Sequence, residues 1–322
     1  MRMARLKLQG RTAVYHCISR VVGGQALLDD LSKEKLVALL GQMAAFCGVE
    51  VITYCMMSNH IHLLLRVPEE PNPSDAQLVE RMSALYGKKG MLVQLARQAL
   101  KEQGRMDADL RQSLLERMGD VSAFMKEFKQ RFSRWYNRRS ERFGTLWAER
   151  FKSVVVEDEP GVVETVAAYI DLNPVRAGMV ADPKEYRFCG YAAALVGNKV
   201  AQAGLKSMGE SGEWPAVAAA YRQRMFVGAG VSGGRGKVVL EREAIKRVLA
   251  EGGELSVGQV LRLRIRHLTD GVVLGSKGFV DEIFALHRER FGPKRRSGAR
   301  PIRGVPLPGL SVLRDLRVAA VT

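Results

Sequence analysis

Apolar positions along the first 70 residues fall at two different periods, and the change from one to the other predicts a β-α-β-β opening. Residues 12–20 (TAVYHCISR), 49–57 (VEVITYCMM) and 61–67 (IHLLLRV) are short runs rich in β-branched and aromatic residues, which suit a pleated, half-buried surface. Between the first two, residues 32–46 repeat Leu36, Leu39, Leu40, Met43 and Phe46 at helical spacing. Ser32 stands at the expected N-cap and Glu34 in the first turn. A Pro- and acid-rich break at 68–77 follows, then helical periodicity over 75–85, 91–103 and 109–117, which reads as a helical insertion of about 68–120. Residues 121–137 carry Phe124, Phe128 and Phe132 on one stripe of a basic amphipathic helix. A further helix is expected over 160–172, with Pro160 at its first position behind Glu157, Asp158 and Glu159, and with Asn173-Pro174 ending it.

Past residue 196 the pattern weakens. Ala, Gly and Ser dominate, GAGVSGGRGK at 228–237 reads as flexible linker, and helical patterning resumes over 238–290. The stretch PKRRSGARPIRG then reads as a basic, mobile segment. The expected organisation is 1–195 as one domain, 196–237 as linker and 238–322 as a small, mainly helical accessory region with a basic tail.

Composition narrows the class of partner. The chain has 322 residues and 47% hydrophobic content, enough for a core, with 50 Lys+Arg against 34 Asp+Glu for a formal charge of +16. The N-terminus lacks the apolar core of a secretory signal, and the most apolar stretch, 36–57, is broken by Gly41, Gln42, Gly48, Glu50 and Thr53, so no membrane span is expected. Cys17, Cys47, Cys55 and Cys189 form no C-x-x-C, which fits a reducing cytoplasm rather than a disulfide scaffold or a cysteine zinc site. The basic excess points first to nucleic acid, where neutralising phosphates releases counterions.

Two pairs of residues carry candidate chemistry. His60 and His62 flank Ile61 at the start of a strand, so the two-residue period puts both imidazoles on one face, where they can hold a divalent metal. The bland alternative is a pair of strand histidines bonded to neighbours. Tyr169 and Asn173 stand four apart near the end of the 160–172 helix, so a phenol and an amide oxygen share a face. That pair reads equally as an aromatic on a sheet and a helix cap. Tyr136, inside the basic run RWYNRR, is the rival tyrosine. Around it, Arg131, Arg134, Arg138, Arg139, Arg150 and Lys152 offer phosphate contacts. Phe132, Trp135, Phe143 and Trp147 offer faces for stacking, although a solvated basic face over buried aromatics has the same pattern.

Longer blocks change the balance. Residues 58–65 (SNHIHLLL) resemble the His-hydrophobic-His strand of the HUH single-strand DNA nucleases and transposases. Residues 144–153 (GTLWAERFKS) and 169–178 (YIDLNPVRAG) resemble the two signature blocks of the REP-associated tyrosine transposases in that superfamily, and YHCISR resembles their first strand. The resemblance implies an α+β fold with a ferredoxin-like antiparallel sheet and helices on one face. It implies Tyr169 as nucleophile, His60, His62 and Asn173 as ligands of Mg²⁺ or Mn²⁺, and single-stranded or hairpin DNA as partner; the long insertion and the C-terminal region depart from the minimal domain, so monomer and homodimer both stay open. The activity implied is transposition through a 5′-phosphotyrosine. The alternative is a DNA or RNA hairpin binder of the same fold with its chemistry unused.

Overall fold

The computed structural model describes residues 5–69, 72–209, 212–226, 267–302, 307, 309–314 and 316. They fall into two compact units. One, the histidine unit, comprises Lys7–Val51 and Met56–Phe151; the other, the tyrosine unit, comprises the described residues of Met1–Leu6, Ile52–Cys55 and Lys152–Thr322.

In the histidine unit, β1 (Ala13–Arg20) pairs antiparallel with β3 (His60–Val67), in a register running from Ala13 opposite Val67 to Arg20 opposite His60. Helix α1 (Asp30–Cys47) begins earlier than its apolar repeat. The Asp29 carboxylate, rather than Ser32, caps it by accepting the Ser32 N–H at 2.8 Å, and Arg139 grips the same carboxylate at 2.7 Å. That guanidinium holds Asp29 far below the usual carboxylate range, so the charged cap is the better acceptor. Gly48, at φ 68°, closes the helix. Strand β2 (Glu50–Met56), whose middle residues Ile52–Cys55 belong to the tyrosine unit, leads into β3 at Met57, whose N–H donates to the His60 carbonyl, and Arg66 pairs with Glu50 at 2.6 Å.

The stretch read as an insertion is helical as expected: α2 (Asp75–Tyr86), α3 (Met91–Gln103) and α4 (Ala108–Leu115). Ser74 and Gln77 form a reciprocal capping box at the start of α2. Helix α5 (Val121–Arg139) buries Val121, Phe124, Met125, Phe128, Phe132 and Tyr136 along one stripe, which fixes its basic residues on the other faces. Arg117 ties the layer together, reaching Glu127 at 2.6 Å and the Tyr86 hydroxyl at 2.6 Å while lying over the Phe46 ring. Burial alone would raise Glu127, but the guanidiniums of Arg117 and Arg131 outweigh it and hold the carboxyl below its usual value.

The tyrosine unit contains β4 (Lys152–Val156), α6 (Pro160–Asp171), α7 (Asn173–Arg176), α8 (Gly190–Leu195), α9 (Lys199–Lys206) and α10 (Trp214–Phe226). After the undescribed stretch come α11 (His267–Asp270), β5 (Val273–Gly275), α12 (Lys277–Leu286), β6 (Arg300–Pro301) and β7 (Ser311–Leu313). Strand β4 runs parallel to β5, and β5, β7 and β6 pair antiparallel. Besides its helices the C-terminal region, expected to be mainly helical, holds three strands among the described residues, each too short to show a period, and β5 pairs with β4. Hydrogen bonds tie the described residues of the basic segment. Arg295 donates to the Ser297, Gly298 and Arg314 carbonyls, and Asp281 accepts the Gly298 and Ala299 N–H groups. Helices α9 and α10 occupy the first part of the stretch read as linker, whereas the Gly-rich 228–237 and most of 238–290 lie outside the described residues.

The α+β class expected from the sequence holds, with seven described strands paired mostly antiparallel. In chain order β1-α1-β2-β3-α5-β4, with α2 to α4 ahead of α5, the elements follow the β-α-β-β-α-β order of a ferredoxin-like fold.

Candidate active site

The β3 period puts His60 and His62 on one face as expected, with ring centroids 5.0 Å apart and planes at 81°. Each uses Nδ1 for a structural hydrogen bond. His60 Nδ1 stands 2.6 Å from Asn59 Oδ1; an amide oxygen only accepts, so the ring proton sits on Nδ1 and the lone pair on Nε2. His62 Nδ1 stands 2.8 Å from Nε2 of His16, a fully buried residue of β1. When His62 supplies the proton of that bond, its lone pair also sits on Nε2. His16 lies opposite Leu64, one diagonal step from His62, and exposed Arg20 lies directly opposite His60 on the same face. The sequence reading passed over both. Alternation in TAVYHCISR puts His16, Ile18 and Arg20 on one face, but only the pairing register brings that face to the histidines.

In the tyrosine unit, Tyr169 is 6% exposed near the end of α6, with the Arg176 guanidinium 3.8 Å from its ring centroid. Asn173-Pro174 does end α6, but not in a loop: after the single residue Leu172 the chain makes the turn α7, and Asn173 is its first residue rather than a cap. The proline tolerates this because the start of a helix needs no N–H from it. Asn173 is buried, and its Nδ2 has no hydrogen-bond partner among the described residues.

Between the two stands Asp171, fully buried, which the sequence reading missed. Its carboxylate accepts from Thr53 Oγ1 at 3.0 Å, the Tyr191 N–H at 3.2 Å and the Tyr221 hydroxyl at 2.7 Å. Burial raises this carboxyl to about 7, outweighing the donors that favour its charge. Gly190 is required beside it, because a Cβ there would lie 2.2 Å from Thr53 Oγ1. The available signal was an acid inside the otherwise apolar VAAYIDL.

The two candidate pairs thus belong to different compact units: His60 and His62 to one, Tyr169 and Asn173 to the other. The rival Tyr136 is buried and donates its hydroxyl to the Leu27 carbonyl at 3.1 Å, a packing role. Of the basic residues, Arg134, Arg138 and Arg150 are exposed. Arg131 pairs with Glu127, Arg139 with Asp29 and Lys152 with Asp270. Phe132 and Trp147 are core, Trp135 is half-buried, and Phe143 is 94% exposed. No group of three or more His, Cys, Asp or Glu among the described residues is arranged to hold a metal ion. Among the described residues no helix is long and apolar enough to cross a membrane.

Residues 11–103, which include β1, the histidine strand, α2 and α3, match the family model described as "Transposase IS200 like". That match covers under a third of the chain and marks those residues as similar to the family. The match reaches through two helices of the supposed insertion and stops before GTLWAERFKS, Tyr169 and Asn173. No curated protein matches the chain. One solved structure, titled "Structure of the REP associates tyrosine transposase bound to a REP hairpin", is similar at 13% identity and a TM-score of 0.41, over 66% of this chain and 93% of that one. That likeness is distant.

Proposed function

We propose that this chain is a divalent-metal-dependent single-strand DNA endonuclease and strand transferase that acts on hairpin DNA through Tyr169. The observation that carries the reading is the histidine pair. Within the IS200-like segment, both imidazoles share one face, and each engages its Nδ1 in a structural bond, the usual arrangement behind a metal-binding Nε2. His60 and His62 would hold Mg²⁺ or Mn²⁺ through Nε2, leaving open positions for phosphate oxygens, and the resemblance implies the amide oxygen of Asn173 as a third ligand. A bound ion would polarise the phosphate oxygens as a Lewis acid.

The protein's own groups supply the rest. The Tyr169 oxygen attacks the scissile phosphorus, forming an O–P bond as the bond from phosphorus to the 3′-oxygen breaks. The products are a 5′-phosphotyrosine and a free 3′-OH, and the proton lost by the phenol is matched by the one the 3′-oxygen gains. The Arg176 guanidinium over the Tyr169 ring adds positive charge beside the attacking group. Arg20, opposite His60, is placed to bind phosphate. Strand transfer is the reverse attack by another 3′-OH, so no nucleotide cofactor enters. The hairpin substrate comes from the resemblance of the two signature blocks.

The burial of Tyr169 favours a second reading, a hairpin-binding protein whose chemistry is unused. Incubation with single-stranded hairpin oligonucleotides and Mn²⁺ separates the two. A denaturation-resistant protein–DNA adduct that disappears with EDTA supports the nuclease, and tight binding without adduct supports the binder.

A further inference from the structure

We propose that Phe143 is a stacking platform for an unpaired nucleobase of the bound single strand. This inference rests on the single-stranded DNA reading above and adds the residue that grips a base. One exposed apolar side chain is ordinary on a protein surface; Phe143 differs in how it is displayed. It is 94% exposed on the loop that follows α5, and that loop is built rather than slack. Asn137 pins it twice, accepting the Arg142 N–H at 2.9 Å through its carbonyl and donating Nδ2 to the Gly144 carbonyl at 2.9 Å. Ser140 donates back to the Tyr136 carbonyl.

The turn also carries strain. Glu141, at φ 47°, is the one non-glycine residue with a positive φ among those described, and Gly144 follows at φ 87°. The hydrogen bonds from Asn137 hold this turn in place, and it presents a phenyl ring to water.

The surroundings select the occupant. Arg134 and Arg138, one helical turn apart on α5, are exposed, and half-buried Arg142 precedes Phe143 in the chain. An exposed π-face at the end of a basic helix matches a nucleobase on a phosphate backbone, because every base has a face to stack while the arginines meet the chain's charge. Of the four aromatics in this region Phe132 and Trp147 are committed to the core and Trp135 packs against Phe132, which leaves Phe143 as the available ring.

Salt dependence separates stacking from charge. The full-length protein, Phe143→Ala and Phe143→Trp would be titrated by fluorescence anisotropy against a hairpin oligonucleotide with an unpaired tail and against the same stem closed without one, over a salt series. Phe143→Ala is expected to weaken binding of the tailed hairpin about 5- to 150-fold, the range for losing one stacked base. The closed stem should be bound as before, and the slope of log K against log salt should be unchanged because no phosphate contact is lost. Phe143→Trp should restore affinity, with tryptophan emission quenched on binding. The proposal is overturned if Phe143→Ala binds the tailed hairpin within about twofold of wild type, loses equally on both oligonucleotides, or lowers the salt slope by about one contact. If only Phe143 is misread, wild type still binds the tailed hairpin; if wild type binds neither oligonucleotide, the DNA reading falls as well.

Discussion

Replacing Tyr221 by phenylalanine tests how α10 is fastened to the helix that carries Tyr169. The phenol is 1% exposed and donates to Asp171 at 2.7 Å, so the substitution keeps the ring, opens no cavity beyond a hydroxyl and removes one hydrogen bond to a buried carboxyl. A hydrogen bond to a charged group contributes about 1.5–3 kcal/mol. The carboxyl is already disfavoured by burial, which raises it to about 7 in spite of its donors, so the remaining donors cannot fully compensate. The expected cost is therefore about 2 kcal/mol near neutral pH, a roughly 30-fold rise in the unfolding constant. Tyr191→Phe is the internal control: its ring packs against Tyr221 at 5.8 Å, but its hydroxyl meets only a 3.3 Å contact from Arg222, and it should cost less than about 1 kcal/mol. Urea titrations of the two variants and wild type, followed by tryptophan fluorescence and circular dichroism, give the comparison. Equal costs for the two variants, or a Tyr221→Phe cost below about 0.5 kcal/mol, would show that the carboxylate network does not hold this part of the fold.

Two further outcomes follow from the histidine unit. His16→Ala should weaken Mn²⁺ binding about 10- to 100-fold, as loss of a partner behind a metal-binding histidine does, with His16→Gln recovering part of it; electron paramagnetic resonance of free Mn²⁺ without DNA reads this, and unchanged affinity would remove His16 from the site. For Glu127, the folded carboxyl lies below its unfolded value, so its stabilisation is complete above about pH 4.3 and is lost as pH falls through the lowered folded value. The stability gap between wild type and Glu127→Gln, about 1–3 kcal/mol at pH 6, should shrink on going to pH 3; a gap that stays constant or grows in acid would contradict the Arg117–Glu127–Arg131 account.

What the sequence made legible was whatever repeats along it. The 3.6-residue stripe of α5 was readable because the helix buries one face many times over, and β1 to β3 were readable because each is a run of seven or eight residues rich in β-branched and apolar side chains. The strands β4 to β7 were not. Val154, Val155 and Val156 are buried together, so they show no alternation, and strands of two or three residues have no period at all. His16 and Asp171 escaped for a different reason. Their partners are 46 and 50 positions away, at His62 and Tyr221, and nothing local in the chain records a pairing register or which buried hydroxyl meets a carboxylate. The cap of α1 shows the same limit: Ser32 and Asp29 are both good caps, and only Arg139, arriving from α5, decides between them.

The central claim is that Tyr169 is the nucleophile and that Tyr136 is packing. Wild type, Tyr169→Phe and Tyr136→Phe should be incubated with a radiolabelled hairpin oligonucleotide and Mn²⁺, and the adduct digested and mapped by mass spectrometry. Wild type and Tyr136→Phe should yield a DNA-linked peptide containing residue 169, with some loss of yield in the latter, and Tyr169→Phe should yield none. An adduct retained by Tyr169→Phe, or a DNA-linked peptide containing Tyr136, would contradict the account.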